Sequence, residues 1–176
     1  MSIRTVLVSG ISSKRHWTLI TFVLWAVLFD CTGNAATIRG KVVKVVDGDS
    51  ITVLDADHKQ HRIRIIGIAA PEKKQPFWER SRESMVRMVA GKDVSAECHK
   101  IDRYSRQVCK VWVQPSDCPT CGKTLDVGHA QIIVGLALWY RQDANEQSAE
   151  DRGRYESAEQ EARLRKTGLW KDEVTK

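Results

Sequence analysis

Two short segments of alternating character, joined by Asp47-Gly48-Asp49, constrain this chain more than any other feature. Lys41-Val-Val-Lys-Val-Val46 and Ser50-Ile-Thr-Val-Leu54 show the two-residue period of half-buried strands. A helix does not produce that period, because its faces recur every 3.6 residues or so. Asp-Gly between such runs predicts a tight hairpin turn, with Gly48 supplying positive φ at no steric cost. A second turn over Asp55–Lys59 leads into Gln60–Ile68, where Ile63, Ile65 and Ile66 mark a third strand that Pro71 stops.

Beyond these three strands, at 38–46, 50–54 and 60–68, a helix opens at Pro76 and closes at Gly91. Trp78, Ser81, Met85 and Met88 recur on one of its faces. Strands near 93–99 and 107–113 follow, joined by the polar turn Asp102-Arg-Tyr-Ser-Arg106. A cysteine-bearing loop precedes a helix near 125–134, with Val127, Ala130, Ile133 and Val134 apolar and Gly135 as its end. The charged segment 147–166 reads as a solvated helix whose thin apolar face is Tyr155, Ala158 and Ala162. Trp170 is expected to pack back on the core. Three strands, a helix and two strands is the order of a five-stranded Greek-key barrel of the oligonucleotide-binding type. The expected fold class is therefore α+β, a five-stranded barrel with about three helices.

The first turn and the end of strand three can bring Asp49, Arg64 and Glu72 around one point. Carboxylates suit a hard divalent cation, and arginine suits phosphate through paired hydrogen bonds. A metal, a carboxylate base and an arginine facing a phosphodiester make a hydrolytic site. Asp-Gly-Asp alone is ordinarily just a turn; the second polar turn, which adds Arg106, gives it chemical meaning. His58, His61, His99 and His129 are scattered, with no pair at helical i, i+4 spacing. No Gly-x-Ser-x-Gly or phosphate-cradling glycine loop is present, which leaves acyl transfer and nucleotide hydrolysis without support.

Val46-Asp-Gly-Asp-Ser50, Arg64-Ile-Ile-Gly-Ile-Ala-Ala-Pro-Glu72, Asp102-Arg-Tyr-Ser-Arg106, Val127-Gly-His-Ala-Gln-Ile-Ile-Val-Gly-Leu-Ala137 and Gly168-Leu-Trp170 occur in that order. Together they resemble the staphylococcal (thermonuclease) nuclease family over roughly residues 38–171. The resemblance implies a metal-dependent nuclease using Ca²⁺, with DNA and/or RNA as substrate, no small-molecule cofactor, and its site on the barrel rim. It implies Asp49 as a metal ligand and Ala70 as a backbone-carbonyl ligand. Glu72 would position or deprotonate the attacking water. Arg64 and Arg106 would bind the substrate phosphate and stabilise the charge that develops on it, leaving 3′-phosphates and 5′-hydroxyls. Asp47 and Asp102 would bond the N–H groups of their own turns. One position departs from the family pattern: Ala69 stands where the second carboxylate ligand is expected. That loss weakens calcium binding, so a catalytically weak or inactive nucleic-acid-binding module is the alternative reading.

Residues 1–36 have the layout of a signal peptide: Lys14-Arg15-His16, a largely apolar run Trp17–Phe29, then small residues to Ala36. The run falls short of the roughly 20 residues a membrane span needs. The expectation is a domain over 37–176, periplasmic or secreted, with no stable membrane insertion after cleavage; an uncleaved anchor is the alternative. The whole chain carries a formal charge of +6, and losing Arg4, Lys14, Arg15 and Asp30 with the leader makes that +4. A modest positive balance fits a polyanionic partner without demanding one. Cys98, Cys109, Cys118 and Cys121 remain, an even number that in an exported protein favours disulfides. Cys98 and Cys109 lie symmetrically about the Arg103–Tyr104 turn, and Cys118–Cys121 would close a small loop; a four-cysteine zinc site is the competing reading. Trp139 and Tyr140 read as buried aromatics at a helix end, with base stacking as the alternative.

Overall fold

The computed structural model describes residues 36–171. The expected leader lies outside the described residues except for Ala36, which opens the first strand. Strands β1 (Ala36–Val45), β2 (Ser50–Asp55) and β3 (Gln60–Ile65) form an antiparallel meander. Ile63 and Ile65 of β3 point to the core, as do Ile51 and Val53 of β2.

Strand three is shorter than expected. It stops at Ile65, the chain turns through Gly67 at φ 74°, and Ile68–Ala69 form a separate short strand, β4. Only glycine suits this corner, because a Cβ at residue 67 would sit 2.2 Å from the Gln147 side-chain nitrogen. Helix α1 (Trp78–Val89) buries Ser81, Ser84, Met85 and Val89. Pro76 lies outside its first turn, since Phe77 precedes the helix in the left-handed conformation at φ 66°. Gly91, at φ 71°, follows the helix end, where its N–H donates to the Val42 carbonyl.

Strands β5 (Asp93–Ile101) and β6 (Gln107–Val113) pair antiparallel, and β5 also pairs with β1. Closure comes from a parallel pairing of β3 with β6, matching Ile63–Ile65 to Gln107–Cys109. These five strands form a closed barrel. Cys98 and Cys109 face each other in register on β5 and β6 and are joined by a disulfide; Cys118 and Cys121 form a second one in the following loop.

Leu125–Asp126 add a short strand, β7, to the far end of β6, so helix α2 begins only at Val127 and runs to Ile133. Asp126 caps it by accepting the His129 N–H at 3.1 Å. Its buried face is Val127, Gly128, Gln131 and Ile132, whereas Ile133 and Val134 are exposed, because the helix ends there. Leu138–Trp139 form β8, the antiparallel partner of β4. Helix α3 (Ala149–Leu164) is capped by Ser148 and buries Tyr155, Ala158, Glu159 and Ala162. Its polar surface hides one working acid: Glu159 accepts the Trp139 N–H at 3.0 Å and the Arg141 guanidinium at 2.9 Å, tying α3 to β8. Trp170 packs inward from a last 3₁₀ turn. No helix among the described residues is long and apolar enough to cross a membrane.

Candidate active site on the barrel rim

The turn between β1 and β2 is held by the Val46 N–H donating to the Ser50 carbonyl at 2.9 Å and the Asp49 N–H donating to Asp47 Oδ1 at 3.2 Å. Gly48 does not take positive φ, contrary to the usual logic of an Asp-Gly turn. Its lack of a side chain serves packing instead: a Cβ there would lie 1.9 Å from Ser81 Oγ and 2.8 Å from the Ala70 Cβ. The turn is thus pressed between α1 and the end of β4. Gln131, fully buried on α2, clamps it further, its amide donating to the carbonyls of Gly48 and Ser81, each at 3.0 Å.

This packing buries Asp49, which is 5 % exposed. A lone buried carboxylate is costly, and three donors meet it. Arg64 Nη1 donates to Oδ2 at 2.9 Å, the Ala70 N–H donates to Oδ2 at 3.2 Å, and Ser50 Oγ donates to Oδ1 at 2.7 Å. An ionised carboxylate offers about four lone-pair positions, so one is left. Asp47 lies alongside. Burial, then the Asp49 charge beside it, pushes its carboxyl up to about 6. Two acids pressed together in this way are a locus of excess negative charge that a hard cation would relieve, so the donors fit such an ion. The carboxylate set is small, however: among the described residues no three His, Cys, Asp or Glu side chains gather as a metal-ligating group.

Arg64, on β3, also donates from Nη2 to the Ile68 carbonyl at 3.1 Å, and its guanidinium lies 5.3 Å from the centre of the Tyr140 ring. Arg106 reaches the site from the β5–β6 hairpin. Asp102 Oδ1 accepts the N–H groups of Tyr104 and Arg106, and Oδ2 accepts Arg106 Nε at 2.8 Å. Burial works against the Asp102 charge, but these bonds outweigh it and hold the carboxyl below its ordinary value. Arg106 Nη1 extends to within 3.4 Å of Ser50 Oγ. Ser50 therefore links the two arginines through Asp49. Arg64, Arg106, Lys100, Tyr104, Tyr140 and Gln142 are among the residues that line a polar cleft of about 330 Å³.

Glu72 lies on the loop Ala70–Phe77, is exposed, and its carboxylate makes no hydrogen bond or ion pair among the described residues. Within the loop the Glu72 N–H donates to the Gln75 side chain at Oε1, 2.7 Å away, and Lys74 takes the left-handed conformation at φ 77°. Ala69, in β4, is paired with Leu138. The structure thus brings Asp49, Arg64, the Ala70 backbone and Arg106 together, while the Glu72 carboxylate, two residues beyond Ala70, is not hydrogen-bonded to any of them. Tyr140 is half-buried between β8 and a 3₁₀ helix, Arg141–Glu146, whose first turn it precedes; its place over Arg64 was not legible from its neighbours. Lys100, Gln142 and Gln131 also escaped the sequence reading. Each meets the site only through contacts between distant segments, and no local pattern marks them.

The family model described as staphylococcal nuclease homologue matches residues 62–172. The chain belongs to the staphylococcal nuclease family. The matched stretch includes Arg64, Glu72 and Arg106 and begins after the Asp47–Asp49 turn. Similar proteins include one called Protein ParB from Escherichia coli, 36 % identical over 84 % of this chain and 80 % of that protein. An uncharacterized endonuclease from Escherichia coli O157:H7 is 33 % identical over 90 % of this chain and 91 % of its own length. A micrococcal nuclease from Shigella flexneri is 33 % identical, covering 78 % of this chain and 76 % of its own length. Within this family the barrel and the Asp102–Arg106 hairpin of the present chain are the scaffold on which the two arginines sit.

Proposed function

We propose that this protein is an exported, calcium-dependent nuclease that hydrolyses phosphodiester bonds of DNA or RNA. The observation that carries the reading is the convergence of Arg64 and Arg106 on one cleft, tied through Ser50 to a buried Asp49. The endonuclease and micrococcal nuclease names of similar proteins support it. So do two disulfides, which persist in oxidising compartments.

Each arginine has five N–H donors and spends two on the protein, so three remain for a phosphate. Held by Asp49 and Asp102, the two guanidinium groups are preorganised and need little rearrangement when charge builds on phosphorus. Asp49 and Asp47, with the Ala70 carbonyl, would hold the calcium ion. When bound, that ion supplies positive charge against the phosphate and orients water. Glu72, with its free carboxylate on the loop beside the site, accepts the proton of the attacking water. The water oxygen bonds to phosphorus as the bond to the 5′ oxygen breaks, leaving a 3′-phosphate and, after protonation from solvent, a 5′-hydroxyl. Arg64→Ala and Arg106→Ala should then lower turnover more than nucleic-acid affinity.

The deciding experiment incubates the mature protein with plasmid DNA and with RNA while calcium is titrated against chelator. Calcium-dependent cleavage is expected. Intact, folded protein that binds nucleic acid but cuts it at no concentration of calcium, magnesium or manganese would make it a binding module, in keeping with Ala69.

A further inference from the structure

Two cations outside the cleft stand in line with its arginines. Ser50 lies opposite Arg64, Thr52 opposite Arg62, and Lys44 opposite Thr52. Residues directly opposite on antiparallel strands share a face. Lys44, Thr52 and Arg62 therefore form one row across β1, β2 and β3, next to the row of Ser50 and Arg64. The other face of these strands carries Val42, Ile51, Val53, Ile63 and Ile65, all in the core.

We propose that this outer face is a track for the phosphodiester backbone of a polynucleotide strand, running from the cleft across β3 to β1. The inference rests on the nuclease reading and extends it from the scissile phosphate to the phosphates beyond. Arg62 is exposed, and its Nη1 lies 3.5 Å from the Tyr104 carbonyl, so it abuts the hairpin that carries Arg106. Lys44 is exposed as well. Neither makes an ion pair among the described residues, in contrast to Arg64 and Arg106, each matched to an acid. Of the acids nearby, Asp49 is committed to Arg64, Asp55 to His61 on the core-side parity of β3, Asp93 stands beside Lys41 at the other edge of β1, and Asp47 is tucked into the β1–β2 turn, bonded to the Asp49 N–H.

Between the cations stand Ser50 and Thr52, small residues that are themselves buried, so the long exposed side chains of Lys44 and Arg62 stand above them. Arg62 and Arg64 are two residues apart, about 6.6 Å along the strand, and Lys44 lies two strands over, roughly 10 Å away. Those separations let long side chains grip successive phosphates. No aromatic residue stands at positions 44, 50, 52 or 62, so this face has no stacking platform for bases. The contacts are therefore with the backbone and indifferent to sequence.

Phosphate contacts are counted by salt dependence, because each one releases a condensed counterion. The test binds a fluorescent single-stranded DNA 20-mer in chelator, to prevent cleavage, over a range of sodium chloride. Wild type is compared with Lys44→Gln, Arg62→Gln and the double variant, each checked for fold by circular dichroism. The expected slope of log affinity against log salt is shallower by about 0.7 for each single variant and about 1.4 for the double, with equal losses for unrelated sequences. Unchanged slopes in a protein that binds and cuts DNA would overturn the track and leave the nuclease reading intact. A slope altered by Arg62→Gln alone would also overturn it, confining contact to the hairpin. Wild type that neither binds nor cuts would instead sink the nuclease reading itself.

Discussion

Replacing Arg64 with alanine should destabilise the metal-free protein, apart from any loss of activity. Asp49 and Arg64 are 8 % and 17 % exposed at their side chains and 2.9 Å apart. Breaking a buried pair by removing one partner typically costs about 3–5 kcal/mol, since the remaining charge is left without its counter-ion. Asp49 would keep its bonds from Ser50 and the Ala70 N–H, which favours the lower end, about 3 kcal/mol. For a domain of this size that is a fall in Tm on the order of 10 °C. If the cost is an orphaned charge, neutralising Asp49 should recover part of it. Arg64→Ala/Asp49→Asn should therefore be more stable than Arg64→Ala alone by about 1–2 kcal/mol, the ordinary penalty of a buried unpaired polar group. Urea unfolding in chelator, with equal m values across the set, gives both quantities. A loss below about 1 kcal/mol for Arg64→Ala, or no recovery in the double variant, would refute the placement of Asp49 as a buried charge held by Arg64.

Gly48→Ala should destabilise by about 1–3 kcal/mol through overpacking against Ser81 and Ala70, and Ser81→Ala in the same chain should restore part of it; equal stability of Gly48→Ala and wild type in chemical denaturation would contradict this close packing. Asp47→Asn in chelator should give a pH-dependent gain. The folded carboxyl titrates near 6 against an ordinary 3.8, so stability falls as pH rises between them and the full cost persists above 6. The variant should gain on the order of 1 kcal/mol above pH 6 after allowance for solvent screening, and nothing below pH 4; Tm measured across that range gives the answer. Ala69→Asp should lower the calcium concentration for half-maximal cleavage and tighten calcium binding in calorimetry. Unchanged or weaker binding would mean that residue 69 does not face the ion.

The barrel was legible because its strands alternate with period two and their turns carry Asp, Gly and Asn-like chemistry at the right places. Arg106 was legible too, since Asp102 and Arg106 close their hairpin within five residues. The break at Gly67 was not, because β4 exists only by pairing with Leu138–Trp139 much later in the chain. The reason for Gly48 was misread for the same cause. A dipeptide suggests a turn type, but the constraint comes from Ser81 and Ala70, and from Gln131 lying 83 residues away. Asp49 and Arg64 could be named from sequence as neighbours of one point, whereas the exposure of Glu72 depends on a loop whose conformation its composition does not dictate.

The barrel closes on a single parallel seam between β3 and β6, and Cys109 sits at its end, bonded covalently to Cys98 and accepting the Ile66 N–H at 3.0 Å. Pairing strands so distant in sequence requires a large loop to close before any contact rewards it, which makes such steps slow in folding. A cross-link spanning 11 positions keeps β5 and β6 close to register even in the unfolded ensemble. The oxidised chain therefore begins its search with β5 and β6 already close together, ready to receive β1 on one side and β3 on the other. The hairpin that presents Arg106 is thus held together covalently whether or not β3 has docked against it.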